Sequence, residues 1–220
     1  MNKIIKAILI SAVALVMLNP LYALGTSIKK TDLKDNFGNT LESFFSRLDD
    51  LTYMRANFNQ VLKSPDQSGV QRSTGQMWLS KPSYFKWYVT KPSEQILVSN
   101  GIKLWNYDVA LEQVTVSEVP QDMSQAPYLL LLTGKRSTIS SLFDITNINA
   151  NAYRLTPKSS INSMIKYIDM NFSGKSLLSL AIYTETGQST IITFSDLSFT
   201  KIPQSAYNFT PPKGVDVLGS

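Results

Sequence analysis

The side chains able to do chemistry in this sequence are carboxylates, lysines and tryptophans, for it holds no histidine and no cysteine. Without an imidazole there is no Ser-His-Asp or Cys-His triad, no histidine-ligated zinc and no ordinary general base near neutral pH. A phosphate-cradling glycine loop and a dinucleotide fingerprint are also missing. What remains for catalysis is a carboxylate pair of the kind that hydrolyses glycosides. Asp108 and Glu112 flank a turn, and Asp49 and Asp50 are adjacent, but each reads more simply as a loop or helix-surface charge. The sequence argues against an enzyme and assigns no catalytic residue, no metal ligand and no cofactor.

Binding is the better reading of the remaining residues. Trp78, Trp87 and Trp105 could stack a ligand such as a sugar, yet tryptophan in alternating apolar sequence is more often core. Lys81 precedes Pro82 in a turn, where a lone lysine is commonly surface. The net charge of +5 is spread along the chain, with Lys29-Lys30 and Lys135-Arg136 as its longest basic runs. Lacking a basic stripe, the sequence argues against a nucleic-acid partner. Hydrophobic content of 43% against charged content of 17% belongs to a folded chain with a real core.

The elements that position these residues begin after an export signature. Residues 1–23, MNKIIKAILISAVALVMLNPLYA, have a lysine-bearing start, an apolar stretch from Ala7 to Leu18, a breaker at Pro20 and a small residue at Ala23. That is the layout of a cleavable secretory signal peptide; about a dozen apolar residues fall short of the roughly 20 that span a bilayer. Residues 24–38 are polar and unpatterned, expected to be a mobile segment, and 39–220 read as a single domain. Leu41, Phe44, Phe45, Leu48 and Leu51 then fall at helical spacing, with Asn39 placed to cap the helix and Glu42 to complete a capping box.

From Tyr53 the period becomes two. Strands are expected at 53–62, 74–80, 84–89, 94–99, 102–108, 113–118, 152–157, 165–172, 177–184 and 189–199, with 207–217 closing the chain. The short turn segments between them make neighbours antiparallel. APYLLLLTG (126–134) reads as a short buried helix, while 135–148 is ambiguous. In QILVSNGIKLWNYD (95–108), Asn100-Gly101 is expected to form a two-residue primed turn that pairs Ile96 with Trp105 and Leu97 with Leu104. One side of that hairpin then carries Leu97, Ile102 and Leu104, the other Ile96, Val98, Trp105 and Tyr107, so both sides need cover. Apolar sides also run along Phe85/Trp87/Val89, Ile168/Met170/Phe172, Leu178/Leu180/Ile182 and Ile191/Leu197/Phe199. A mainly β sheet of about ten or eleven strands must curl. It either closes on itself or keeps an apolar cavity.

GQMWLSKPSYFKWYVTKPSEQILVSNGIKLWNYDVALEQVTV (75–116), with NFNQ at 57–60, LTPK at 155–158 and FTPPKGVDV at 209–217, resembles the LolA family of periplasmic outer-membrane lipoprotein carriers. Lys81 stands where that family often has arginine, Asn100 where it has aspartate, and Val109-Ala110 where it has a proline. Lysine keeps the charge but loses the planar fork with which arginine bonds several carbonyls. The resemblance implies an incomplete, strongly curved antiparallel β-barrel with a helical lid over an apolar cavity. Its expected lipid-binding side chains are Phe85, Trp87, Ile96 and Val98 on the sheet, Leu129, Leu130 and Leu131 on the lid helix, and Leu180 on the distal strands. Lys81 is the expected lid latch. It implies a periplasmic monomer that takes lipoproteins, by their acyl chains, from an ATP-driven inner-membrane releasing complex (LolCDE type) and hands them to an outer-membrane acceptor (LolB type). A barrel-like binder of small free lipids is the alternative that the residues leave open.

Overall fold

The computed structural model describes residues 30–66, 69–119, 134–159 and 163–219. The expected signal peptide and lid-helix residues Leu129, Leu130 and Leu131 lie outside them. Helix α1 (Lys30–Asp50) starts well before Asn39, which therefore sits within the helix and does not cap it. In the sequence, Leu33 and Phe37 stand at i, i+4 steps before Leu41, so the helical periodicity already runs through the polar stretch. Residues 30–38, expected to be mobile, are helical.

After α1 the chain forms β1 (Tyr53–Lys63), β2 (Val70–Ser80), β3 (Tyr84–Lys91), β4 (Gln95–Asn100), β5 (Lys103–Asp108) and β6 (Gln113–Glu118). The ambiguous stretch resolves into a short helix α2 (Arg136–Leu142) followed by β7 (Phe143–Asn149). β8 (Ala152–Pro157), β9 (Ile165–Ser173), β10 (Ser176–Thr184), β11 (Ser189–Ser198) and a three-residue β12 (Asp216–Leu218) complete the fold. All twelve strands join one sheet in the order β12-β6-β5-β4-β3-β2-β1-β11-β10-β9-β8-β7. Pairing is antiparallel throughout except that β12 lies parallel to β6. One continuous core draws on β1–β3, β5, β7–β11, α1 and α2. A sheet this wide meets α1 with strands from both of its halves only because it is curved.

The register sets what the concave face presents. Opposed residues in a pair share a face, so three rows run across the sheet from β1 to β6. These are Met54–Leu79–Phe85–Ser99–Leu104–Ser117, Ala56–Met77–Trp87–Leu97–Asn106–Thr115 and Phe58–Gly75–Val89–Gln95–Asp108–Gln113. A Cβ on Gly75 would sit 1.9 Å from the Tyr88 carbonyl oxygen and 2.8 Å from the Phe58 ring. Only glycine lets Phe58 lie over β2 there.

The β4–β5 turn falls one residue later than expected. Gly101-Ile102 are its central pair, Gly101 takes φ 90°, and Asn100 Oδ1 accepts from the backbone N–H of Ile102 and Lys103. Val98 thus pairs with Trp105 and Ile96 with Tyr107. The sum of paired residue numbers shifts by an even amount, so the side-chain faces are kept although the partners change. In β11 the parity does change. Ile192 and Phe194 are buried, not Ile191, because the ladder with β1 is irregular between Arg55 and Asn57, near Asp196 at φ 51°. Beyond that bulge Leu197 returns to the core and Phe199 is exposed. A second irregularity between Leu177 and Ser179 buries Leu177 in place of Leu178.

The second apolar face of the hairpin is covered by the chain's own C-terminal segment. Phe209 packs 6.3 Å from Trp105 and 6.0 Å from Tyr107, ring centre to ring centre. Tyr207, on a single 3-10 turn (Gln204–Tyr207), is fully buried near Tyr84 and shares a 2.7 Å hydrogen bond with the Ser80 hydroxyl. Removed from water, its phenol is pushed up to about 12 and stays neutral. Pairing of β12 with β6 ties down the end of this strap.

Candidate functional site

Among the described residues, a broad apolar floor meets a separately anchored roof on the concave face beneath α1. On the floor, Phe58 and Trp87 stack with ring centroids 3.8 Å apart, and Phe85 lies 6.2 Å from Trp87. Met77, Leu79, Leu180 and Ile192 around them are buried. The roof contributes Phe44, Phe45 and Leu48 of α1, with Phe44 edge-on to Tyr153 at 5.3 Å. The side chains of the chain itself occupy this space. A depression of about 610 Å³ between α1 and the β7–β8 hairpin is lined by Asn39, Thr40, Ser43, Asn147, Ala150 and Tyr153. Its amides and hydroxyls do not suit hydrocarbon.

Cations bolt the roof to the sheet. Lys81 Nζ donates to the Leu48 carbonyl at 2.5 Å, which also accepts from the Leu51 N–H at 3.1 Å in the closing turn of α1. Burial holds the Lys81 ammonium below its usual pKa, Asp49 offsets part of that, and the Arg136 charge adds to it. At the other side of α1, Arg47 donates to the Gly174 and Ala150 carbonyls at 2.5 and 3.1 Å, to Asn151 Oδ1 at 3.0 Å and to Tyr153 Oη at 3.2 Å. Arg136, from α2, bridges Glu42 and Asp49 of α1 and lies 5.4 Å from the Phe45 ring centre. Exposed pairs like this last one contribute little. Arg47 spreads its planar fork over several acceptors, whereas Lys81 holds one.

The expected site residues divide accordingly. Phe85, Trp87 and Leu180 come together in the core under α1, and Lys81 is on the roof's edge. Ile96 and Val98 are not with them. Trp87 pairs with Leu97 and Phe85 with Ser99, so Ile96 and Val98 point to the opposite face, under the C-terminal strap. Both faces of β4 read as apolar in sequence, and cover comes from residues more than a hundred positions away. Sequence reasoning also passed over Phe58, Met77 and Ile192 as floor residues. Arg47 gave no signal beyond a single charge and Arg136 none beyond its run with Lys135; the i, i+3 spacing of Arg47 from Phe44 was the available clue.

Residues 49–210 match the family model described as outer membrane lipoprotein carrier protein LolA. A protein of Francisella tularensis subsp. novicida (strain U112), named outer-membrane lipoprotein carrier protein, is 36% identical over 185 residues, covering 83% of this chain and 89% of its own. One of the same name from Legionella pneumophila (strain Lens) is 35% identical over 177 residues, covering 79% and 86%. Among solved structures, an uncharacterized conserved protein from Thermus thermophilus shares the fold with TM-score 0.51 at 11% identity, over 80% of this chain and 97% of that one. With a curved open sheet, a helix across its apolar face and a family match over most of its length, this chain belongs to the LolA family of outer membrane lipoprotein carrier proteins.

Proposed function

We propose that this chain is a periplasmic lipoprotein carrier that lodges the acyl chains of its cargo between α1 and the apolar concave floor. The observation that carries the reading is a floor of stacked aromatics roofed by a helix held at its edges by polar bonds. A triacylated lipoprotein has on the order of 40 methylenes at about 0.8 kcal/mol each. That sum, above roughly 30 kcal/mol, exceeds the practical ceiling near 20 for noncovalent affinity. A site presented empty and open to such cargo would never release it. Phe58, Phe85 and Trp87 fill the space when cargo is absent, so cargo must displace them, and the net affinity falls into a range that permits handover.

On this reading residues 1–23 direct export and 39–220 form the carrier domain. Cargo arrives from the ATP-driven inner-membrane releasing complex and leaves to an outer-membrane acceptor, with Lys81 opening and closing the α1 edge. Native mass spectrometry of the protein isolated from periplasm tests it. A one-to-one complex with acylated protein is expected; a bound free fatty acid or quinone, with lipoprotein present but unbound, would favour the binder of small lipids.

A further inference from the structure

The three concave rows change chemistry along their length. On β1–β3 they are apolar, but on β5 and β6 they carry Asn106, Asp108, Gln113 and Thr115. We propose that this polar end is a head-group subsite, centred on Thr115 and Asn106, that selects acyl chains joined through uncharged ester or amide linkages. The proposal rests on the carrier reading and adds which part of the cargo sits where.

Thr115 Oγ1 is buried, and among the described residues it has no hydrogen-bond partner. Such a group costs stability in the free protein, which marks it as a donor kept for something absent. Asn106, opposite Thr115, accepts from Gln95 Nε2 at 3.1 Å. With its oxygen so engaged, its amide N–H groups are the donors it presents. Ester carbonyls only accept hydrogen bonds, and amide carbonyls accept them too, so two donors match them. Thr115 and Trp87 share a row three strands apart, about 14 Å at the spacing of strands. Tails over Trp87 would thus bring their linkages to Thr115.

Charge supplies the selectivity. On β4, β5, β6 and β12 the three rows contain Asp108 and Asp216 and no lysine or arginine. Within these rows a phosphate or a fatty-acid carboxylate would meet like charge and no cation. Neutral linkages would not. Membrane phospholipids, abundant wherever lipoproteins are picked up, are excluded at the head and not at the tails.

The test uses the full-length exported protein, Thr115→Val and Gln113→Lys, with a tripalmitoyl-cysteinyl-serine lipopeptide, a pyrenyl alkane and phosphatidylglycerol as probes. Thr115→Val keeps shape and removes the unpartnered hydroxyl, so thermal stability should hold or rise. Its affinity for the lipopeptide should fall about three- to tenfold, the effect of one hydrogen bond, with alkane binding within about twofold of wild type. Gln113→Lys should strengthen phosphatidylglycerol binding. Unchanged lipopeptide affinity in Thr115→Val, an equal loss for alkane and lipopeptide, or wild type binding phosphatidylglycerol as tightly as lipopeptide would each overturn the subsite while leaving the carrier. Wild type that binds neither lipopeptide nor alkane would overturn both.

Discussion

Replacing Trp87 by alanine should weaken the fold and strengthen cargo binding at once. Trp87 is 6% exposed and stacked on Phe58 at 3.8 Å. Truncating a buried tryptophan costs about 3–5 kcal/mol, part of it for the cavity left behind. An acyl chain can occupy that cavity without first displacing the indole. If about four methylenes take its place at about 0.8 kcal/mol each, binding gains about 3 kcal/mol, about a hundredfold in Kd. Urea unfolding of wild type and Trp87→Ala, each with and without the triacylated lipopeptide, separates the two effects. The free variant should unfold at lower urea, and saturating lipopeptide should raise its midpoint by more than it raises that of wild type. A folded variant with a smaller ligand-induced rise would refute the reasoning, because Trp87 would then be a wall that grips the chains and not a plug that competes with them.

Leu180→Glu should abolish lipopeptide binding and also lower the urea midpoint, because an unpaired charge replaces a fully enclosed side chain; a folded variant that keeps its lipopeptide affinity places Leu180 outside the site. Tyr207→Phe leaves the Ser80 hydroxyl without its partner and should cost about 1–3 kcal/mol with lipopeptide affinity unchanged, since the pair lies under the strap and not under α1. That advantage of the wild type should shrink between pH 10 and 12, because the unfolded phenol ionises first; a constant difference across that range would contradict the burial. For Lys81 the sign is opposite. Its folded pKa lies below 10.5, so the unfolded chain keeps the proton longer and wild type should gain on Lys81→Met as pH rises toward 10.5. A difference that falls with pH in paired denaturation curves would refute it, and cargo handover, more than uptake, should be impaired in the same variant.

Period and turn chemistry made most strands legible; Phe85 and Trp87 share the face that meets α1 because alternation along β3 is unbroken, and Leu180 joins them because the irregularity in β10 comes before it. Alternation fails where a ladder carries an extra residue. One irregular position near Asp196 exchanged Ile191 for Ile192, and nothing in the sequence announces it. Ile96 and Val98 were misplaced for a different reason: β4 is apolar on both faces, and only the path of the C-terminal strap decides which face meets the roof. The polar end of the concave rows was legible in principle, since Asn106 and Thr115 alternate with Trp105 and Val116. It acquires meaning only once register sets Asn106 beside Thr115. Arg47 shows the limit of local reading, for its partners lie about a hundred residues away.

The central claim is that acyl chains enter on the concave face beneath α1 and not elsewhere on this double-sided sheet. Photo-crosslinking decides it directly, with p-benzoylphenylalanine placed at Phe85 in one variant and at Ile96 in another, and acylated lipoprotein supplied in periplasm. Cross-linked cargo is expected from position 85, with at most background from position 96, where Phe209 and its strap cover the face next to Trp105 and Tyr107. Equal cross-linking from both positions, or cross-linking from 96 alone, would contradict the account.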